Sequence, residues 1–306
     1  GICRGPRLTC KRAFTDNDMV MRREFSDSGL TQLRYHPRPA DVRSEPDGSV
    51  AVDCAVEVFG SKSAAFTHEQ RWTFRPDGTV SCKSVSTPRG DMPRLPRLGL
   101  SMVLDPSLEN MRYYGRGPHE NYIDRCSASD VGYYESTVSE QYVEYARPQD
   151  NGYRSDVRWA AFLDGDGDGV LVKGDVPLYV QALHYSVDEM ELQRHRGGGG
   201  GGLKGPNRFY APMFPRREVM LNLDLRQCGL GNGSCGPGPL ACYVFGNRRE
   251  EWSVTFVPVC GGDPHVLRDA ARKVQQTVPV SAGKGIRSTT VTGFDGGRTG
   301  KRKASG

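Results

Sequence analysis

Along much of this chain apolar and polar residues alternate one by one, the period of a strand whose successive side chains point to opposite faces. Val50, Val52, Cys54, Val56 and Val58 alternate without a break after Pro46, Asp47 and Gly48. Phe66, Trp72 and Phe74 lead into a second turn, Pro76, Asp77 and Gly78, with Val80 and Cys82 beyond it. In both turns proline presets the bend and glycine takes the positive φ, so each predicts a hairpin. Val219, Leu221, Leu223 and Leu225 predict a further strand, and Trp252, Val254 and Phe256 a late one. The expected fold class is all-β, a large antiparallel sandwich.

Helical signals are few. Ser186 with Glu189 three residues on has the form of a capping box and predicts a short helix ending near His195. Asp263 as N-cap and Pro264 as first helical residue predict a second, with Leu267, Ala270 and Val274 on one side. Six consecutive glycines, Gly197 to Gly202, predict a flexible loop, because ordering them costs too much backbone entropy. From Ser281 onward Gly, Ser, Thr and Lys/Arg dominate, which predicts disorder. The expected division is a sandwich domain over 1–260, a short helical extension over 261–280 and a disordered basic tail over 281–306.

Composition narrows the function classes. With 306 residues and 37% hydrophobic content, one large core plus a tail is the economical reading. No apolar run approaches the roughly 20 residues of a membrane span. The net charge of +5 sits in the tail, where Lys284, Arg287, Arg298, Lys301, Arg302 and Lys303 face only Asp295. The body is neutral, whereas a nucleic-acid binder is expected to carry a basic stripe on its folded domain. Nine cysteines, an odd count without a CxxC pair or zinc-like spacing, point to free thiols and a cytoplasmic location. The chain begins at Gly1 without an initiator Met, so it is expected to be a fragment whose targeting cannot be read.

Four polar runs stand out from this pattern: Arg12 to Asp18 (RAFTDND), Tyr113 to Arg125 (YYGRGPHENYIDR), Arg147 to Trp159 (RPQDNGYRSDVRW) and Gly229 to Pro239 (GLGNGSCGPGP). In this order they resemble the C-terminal β-sandwich domain, or small chain, of the glycoside hydrolase family 2 β-galactosidases, from near Arg12 to about Pro258. The resemblance implies a galactose mutarotase-like supersandwich, truncated at its N-terminus, and hydrolysis of terminal β-galactosides with retention. It also implies that the two catalytic glutamates sit on a TIM barrel. Such a barrel needs about 250 residues of alternating strand and helix, so none fits here and no catalytic residue is expected. The family's magnesium and sodium sites lie mainly on that barrel, so no cofactor or metal is expected in this chain. The implied partners are the barrel, in the same polypeptide or a separate large chain, a galactoside, and further copies in an oligomer.

The resemblance also distributes roles. It places Asn232, Ser234 and Cys235 in a loop that reaches the active-site mouth. Cys235 stands where many members have a stacking Trp, and a thiol has no stacking face, which implies a different aglycone preference. Asp16, Asn17 and Asp18 belong to the rim, where carboxylates and amides suit hydroxyl recognition; Val20 stands where a hinge glycine is expected. Arg116, His119, Glu120, Asn121, Tyr122, Asp124 and Arg125 are implied to be framework, with Glu120 and Arg125 as an ion pair. Pro148, Asn151 and Arg158 are implied to be framework too.

Read from the residues alone, other chemistries stay open. Glu120 and Asp124 would form a retaining glycosidase pair if their carboxyls stood about 5 to 5.5 Å apart. Asp164 to Gly169 (DGDGDG) nearly matches a calcium loop but also suits a hairpin turn between strands. Two other function classes remain: a non-catalytic carbohydrate-binding module, and an aldose epimerase on the same fold. The latter needs a His and a Glu converging in a sheet groove, with His119, His184 and His195 available.

Overall fold

The computed structural model describes residues 1–197 and 213–277; the glycine run beyond Gly197 and the basic tail lie outside them. Strands β1 (Ile2–Thr9), β2 (Arg34–Pro37), β3 (Asp41–Ser44), β4 (Val50–Phe59), β5 (Ala65–Phe74), β6 (Val80–Arg89), β7 (Arg97–Leu104) and β8 (Asn110–Gly117) come first. They are followed by β9 (Asp130–Thr137), β10 (Arg154–Val157), β11 (Trp159–Leu163), β12 (Gly169–Gly174), β13 (Leu178–Leu183), β14 (Val219–Gln227) and β15 (Glu250–Val259). Helices are α1 (Met19–Asp27), α2 (Val187–Gly197) and α3 (Pro264–Thr277).

All the pairings are antiparallel, in two sheets. The five-stranded sheet runs β1-β7-β14-β13-β10, and the ten-stranded sheet β2-β4-β5-β6-β15-β12-β11-β8-β9 with β3 also on β4. The two predicted turns join β3 to β4 and β5 to β6, with Gly48 and Gly78 both at φ +81°. Asp47 and Asp77 support them, each accepting the amide two residues on, Ser49 and Thr79, at 2.9 Å.

Side-chain alternation explains why the sheets stack. Leu98, Leu100 and Met102 of β7 and Leu221, Leu223 and Leu225 of β14 face Cys82, Phe162, Trp252 and Val254 of the large sheet in one buried cluster. Each large apolar side chain buried there stabilises the fold by about 1.5–3 kcal/mol. Helix α1 closes one end, with Phe25 edge-on to Phe14 at 5.5 Å between ring centres. The capping signals hold as well. Glu189 Oε2 accepts the Ser186 amide at 2.8 Å where α2 begins, and Asp263 Oδ1 accepts the His265 amide at 2.7 Å where α3 begins. Helix α3 lays Leu267 and Ala271 on the outer face of the large sheet, against Trp159, Leu163 and Val259.

The other face of the small sheet is polar. Arg97 and Ser101 alternate with the leucines of β7, and Asn222 and Asp224 with those of β14. Arg97, Asn222 and Asp224 are nevertheless buried, because the polar runs of the sequence close over them.

Candidate functional site

The site is built outward from Arg12, which has no exposed surface. Its guanidinium donates to Asp18 through Nη2 at 2.6 Å and Nε at 3.2 Å, and to the carbonyls of Cys228 at 2.7 Å and Gly229 at 3.2 Å. Asp18 in turn accepts the Thr15 amide at 2.8 Å and hydroxyl at 3.0 Å, which closes the turn Asp16–Asp18. Two segments more than 200 residues apart are thus locked to one buried cation. Burial of a charge is tolerable here because every guanidinium nitrogen has an acceptor. The adjacent carboxylate raises the Arg12 pKa against the opposing effect of burial, so the charge is permanent.

The Tyr113–Arg125 run holds the glycine-rich loop from the other side. Asp124 accepts the amides of Leu230 at 3.0 Å and Gly231 at 2.8 Å, while Arg125 donates to the Gly231 carbonyl at 2.5 Å and to Asn232 Oδ1 at 3.2 Å. Asn121, 1% exposed, ties the same run to β10 through the Ser155 amide at 2.9 Å. Tyr122 donates its hydroxyl to Asp150 at 3.1 Å, and the Asp150 amide donates to the Ala13 carbonyl at 2.7 Å. Asn151, also buried, accepts the Val143 amide at 3.1 Å, and Pro148 is buried beside it. The four polar runs of the sequence therefore meet in one network.

Above this base, two loops form an exposed rim. Asn17 Oδ1 accepts the Ser234 hydroxyl at 2.7 Å and its amide at 3.2 Å. Gly233 allows the approach, since a Cβ there would stand 2.4 Å from the Asn17 carbonyl oxygen. Asp16 pairs with Arg147 at 2.9 Å, and Asn232 and Cys235 are exposed beside Ser234. Of the six residues expected to contact a substrate, five share this rim. Asp18 does not: it is 2% exposed and both its oxygens are committed inward, so its role is to hold the loop. The segment following it is helix α1, with Val20 exposed on it, rather than an open loop.

One other expectation changes. Glu120 and Arg125 do not pair: Glu120 accepts the Gly152 amide at 2.7 Å and the Tyr145 hydroxyl, while Arg125 reaches the glycine-rich loop. Glu120 and Asp124 each hold backbone amides of distant loops, the bracing implied for framework residues. Asp164–Gly169 is the turn between β11 and β12, where Asp164 Oδ1 accepts the amides of Asp166 and Asp168, each at 3.0 Å. Among the described residues no three His, Cys, Asp or Glu side chains converge as a metal site.

The remaining motif residues are spread more widely. Arg116 pairs with Asp156 at 2.6 Å, and Arg158 donates to the Asp156 carbonyl at the same distance, bracing a residue at φ +52°. His119 is exposed. His184 Nε2 lies 2.7 Å from Glu109 Oε2, and Glu109 also accepts the Ser139 amide at 3.0 Å, so this pair braces chain segments at the ends of β8 and β13.

Sequence reasoning missed the buried polar layer beneath the rim. Tyr153 donates to Asp224 at 2.6 Å, Arg97 donates to Tyr153, and Gln181 Nε2 reaches Asp150 at 3.3 Å. Burial pushes the Asp150 carboxyl up to about 7 and that of Asp224 to about 6, against the pull of Arg12 and Arg97. A signal was present: Asn222 and Asp224 interrupt the apolar side chains of β14 at every second position, where a solvated strand face would have served equally well.

A two-sheet antiparallel sandwich whose four polar runs converge beneath one loop rim defines an all-β domain. The β-galactosidase small-chain family model matches residues 2–257, and the chain belongs to that family. The match begins before the Arg12 run and so takes in β1. A β-galactosidase of Priestia megaterium is 32% identical over 196 residues, covering 63% of this chain and 19% of that protein. One of Staphylococcus xylosus is 26% identical over 244 residues, 79% of this chain and 23% of that protein. The chain thus spans about a fifth of the length of these relatives. Among solved structures, galactose 1-epimerase from Lactobacillus acidophilus aligns at a TM-score of 0.31 with 8% identity, over 75% of this chain and 67% of that one.

Proposed function

We propose that this chain is the accessory sandwich domain, or small chain, of a glycoside hydrolase family 2 β-galactosidase, and that it completes the rim of an active site carried by a separate barrel. The observation behind this reading is the Asn17–Ser234 contact, which joins two exposed polar loops from opposite ends of the chain into one edge. Asp16, Asn17, Asn232 and Ser234 offer donors and acceptors to sugar hydroxyls, and Cys235 leaves the aglycone without a stacking surface. The nucleophile and acid/base belong to the barrel, which cleaves terminal β-galactosides with retention through a glycosyl-enzyme intermediate. The chain alone is inactive in this reading, the complete enzyme is an oligomer in the cytoplasm, and any magnesium or sodium is held by the barrel.

The test is complementation. The purified chain is mixed with a separately expressed β-galactosidase barrel chain, and hydrolysis of a chromogenic β-galactoside is followed in the mixture and in each part. Activity in the mixture alone is the expected result. Activity in this chain alone would overturn the assignment of Glu120 and Asp124 to the framework.

A further inference from the structure

We propose that the cleft bounded by β1, α1 and α2 binds an acidic saccharide. The cleft holds about 960 Å³, the size of a pocket for a small oligosaccharide, and its floor is the polar face of the five-stranded sheet. Thr9 and Ser101 are the half-buried groups of that floor, with Arg97 and Asn222 buried directly beneath them. Arg97 donates from Nη2 to Thr9 Oγ1 at 3.4 Å and to Asn222 Oδ1 at 3.3 Å. An acceptor hydroxyl keeps its own hydrogen, so Thr9 can donate to a ligand oxygen. Ser101, half-buried, supplies a second hydroxyl. Tyr185 stands along the wall, giving ring surface for the apolar face of a sugar.

The charge on the walls selects the ligand further. Three of the lining cations are neutralised across the cleft, Lys11 by Asp188 at 2.8 Å, Arg216 by Glu189 at 2.8 Å and Arg22 by Glu191 at 3.9 Å. Arg4 and Arg7, both exposed on β1, have no carboxylate within ion-pair distance among the described residues. Arg7 instead lies over the Tyr35 ring at 5.8 Å. Two guanidinium forks beside a floor of hydroxyl and amide groups fit a sugar that carries a carboxylate, which accepts two parallel N–H bonds. A peptide of equal charge would leave the floor hydroxyls without vicinal partners.

The test uses the full 306-residue chain and does not depend on the galactosidase reading, since it measures binding by this chain alone. Isothermal titration calorimetry at low salt compares trigalacturonate, neutral galactotriose and hexaglutamate. Trigalacturonate is expected to bind about tenfold or more tightly than galactotriose, and the double variant Arg4→Ala/Arg7→Ala to remove that difference. Ser101→Leu, which fills the floor, is expected to abolish binding of trigalacturonate altogether. Absence of trigalacturonate binding at millimolar concentration, or binding unchanged in the double variant, would overturn the proposal. Hexaglutamate binding as tightly as trigalacturonate would overturn it in favour of an acidic peptide. Thermal melts check that each variant is folded; Arg4 and Arg7 are exposed, so their variant carries the test if Ser101→Leu does not fold.

Discussion

Arg12 and Asp18 form a two-point ion pair, 2.6 Å at one end and 3.2 Å at the other, with neither side chain reaching solvent. Such a pair contributes little over an apolar pair of the same shape, but either charge left alone inside is costly. Arg12 has the further task of capping two carbonyls of the glycine-rich loop, so its loss strands acceptors on both sides.

Asp18→Ala is accordingly expected to destabilise the chain by about 3–5 kcal/mol, and Arg12→Met/Asp18→Leu by clearly less than the sum of the two single changes. Urea denaturation followed by circular dichroism measures both. A loss below about 1 kcal/mol for Asp18→Ala would mean that the pair is not the anchor described.

The rim separates function from stability. Asn17→Ala removes the acceptor for Ser234, and Gly233→Ala places a methyl group 2.4 Å from the Asn17 carbonyl oxygen. Both residues are half-buried in rim loops outside the sandwich core, so Tm is expected to shift by only a few degrees. In the complemented enzyme kcat/KM should fall about tenfold, the effect of misplacing one or two substrate hydrogen bonds. Equal activity in wild type and both variants would sink the proposed role of this rim.

How far the sequence could be read follows from which interactions are local. The hairpins at Gly48 and Gly78, the caps at Ser186 and Asp263 and the alternation in β14 and β15 depend on near neighbours, and all were legible. The ion pair expected between Glu120 and Arg125 was not found, because their partners, Gly152 and Gly231, come from distant loops. The sequence groups Asp18 with Asp16 and Asn17 as a substrate contact, because chain adjacency does not say which side chain turns inward. Arg12 decides that, and its other two bonds are to residues 228 and 229. The buried layer around Arg97 was invisible for the same reason: its alternation on β14 matched a wet sheet face, and only the loops folding back over it make it dry.

Asp124 offers a local test of this long-range bracing. Its two oxygens hold the amides of Leu230 and Gly231. Asp124→Ala should free both, with a stability loss of about 2 kcal/mol and fast hydrogen exchange at those two amides. Exchange at Leu221 and Leu223, inside β14, should keep its wild-type pattern relative to global unfolding. Uniform loss of protection across the chain would show instead that Asp124 supports the whole sandwich.

His68 supplies a pH dependence of definite sign. It is 1% exposed on β5, its Nδ1 2.8 Å from Ser86 Oγ, and burial pushes its pKa down to about 4. In the unfolded chain a histidine titrates near 6.5. Between these values the unfolded state binds more protons, so stability is retained above the window and falls as pH drops through it. From pH 7 to pH 5 this one group should remove about 2 kcal/mol. Asp150 and Asp224 act in the opposite sense, because their folded pKa values are raised to about 7 and about 6 and their contribution grows as pH falls. Total stability therefore does not isolate the histidine; the difference between wild type and His68→Gln does. Urea unfolding of both proteins at pH 7 and pH 5 should show wild type losing about 2 kcal/mol more than the variant, whereas equal losses would place the His68 ring in contact with water.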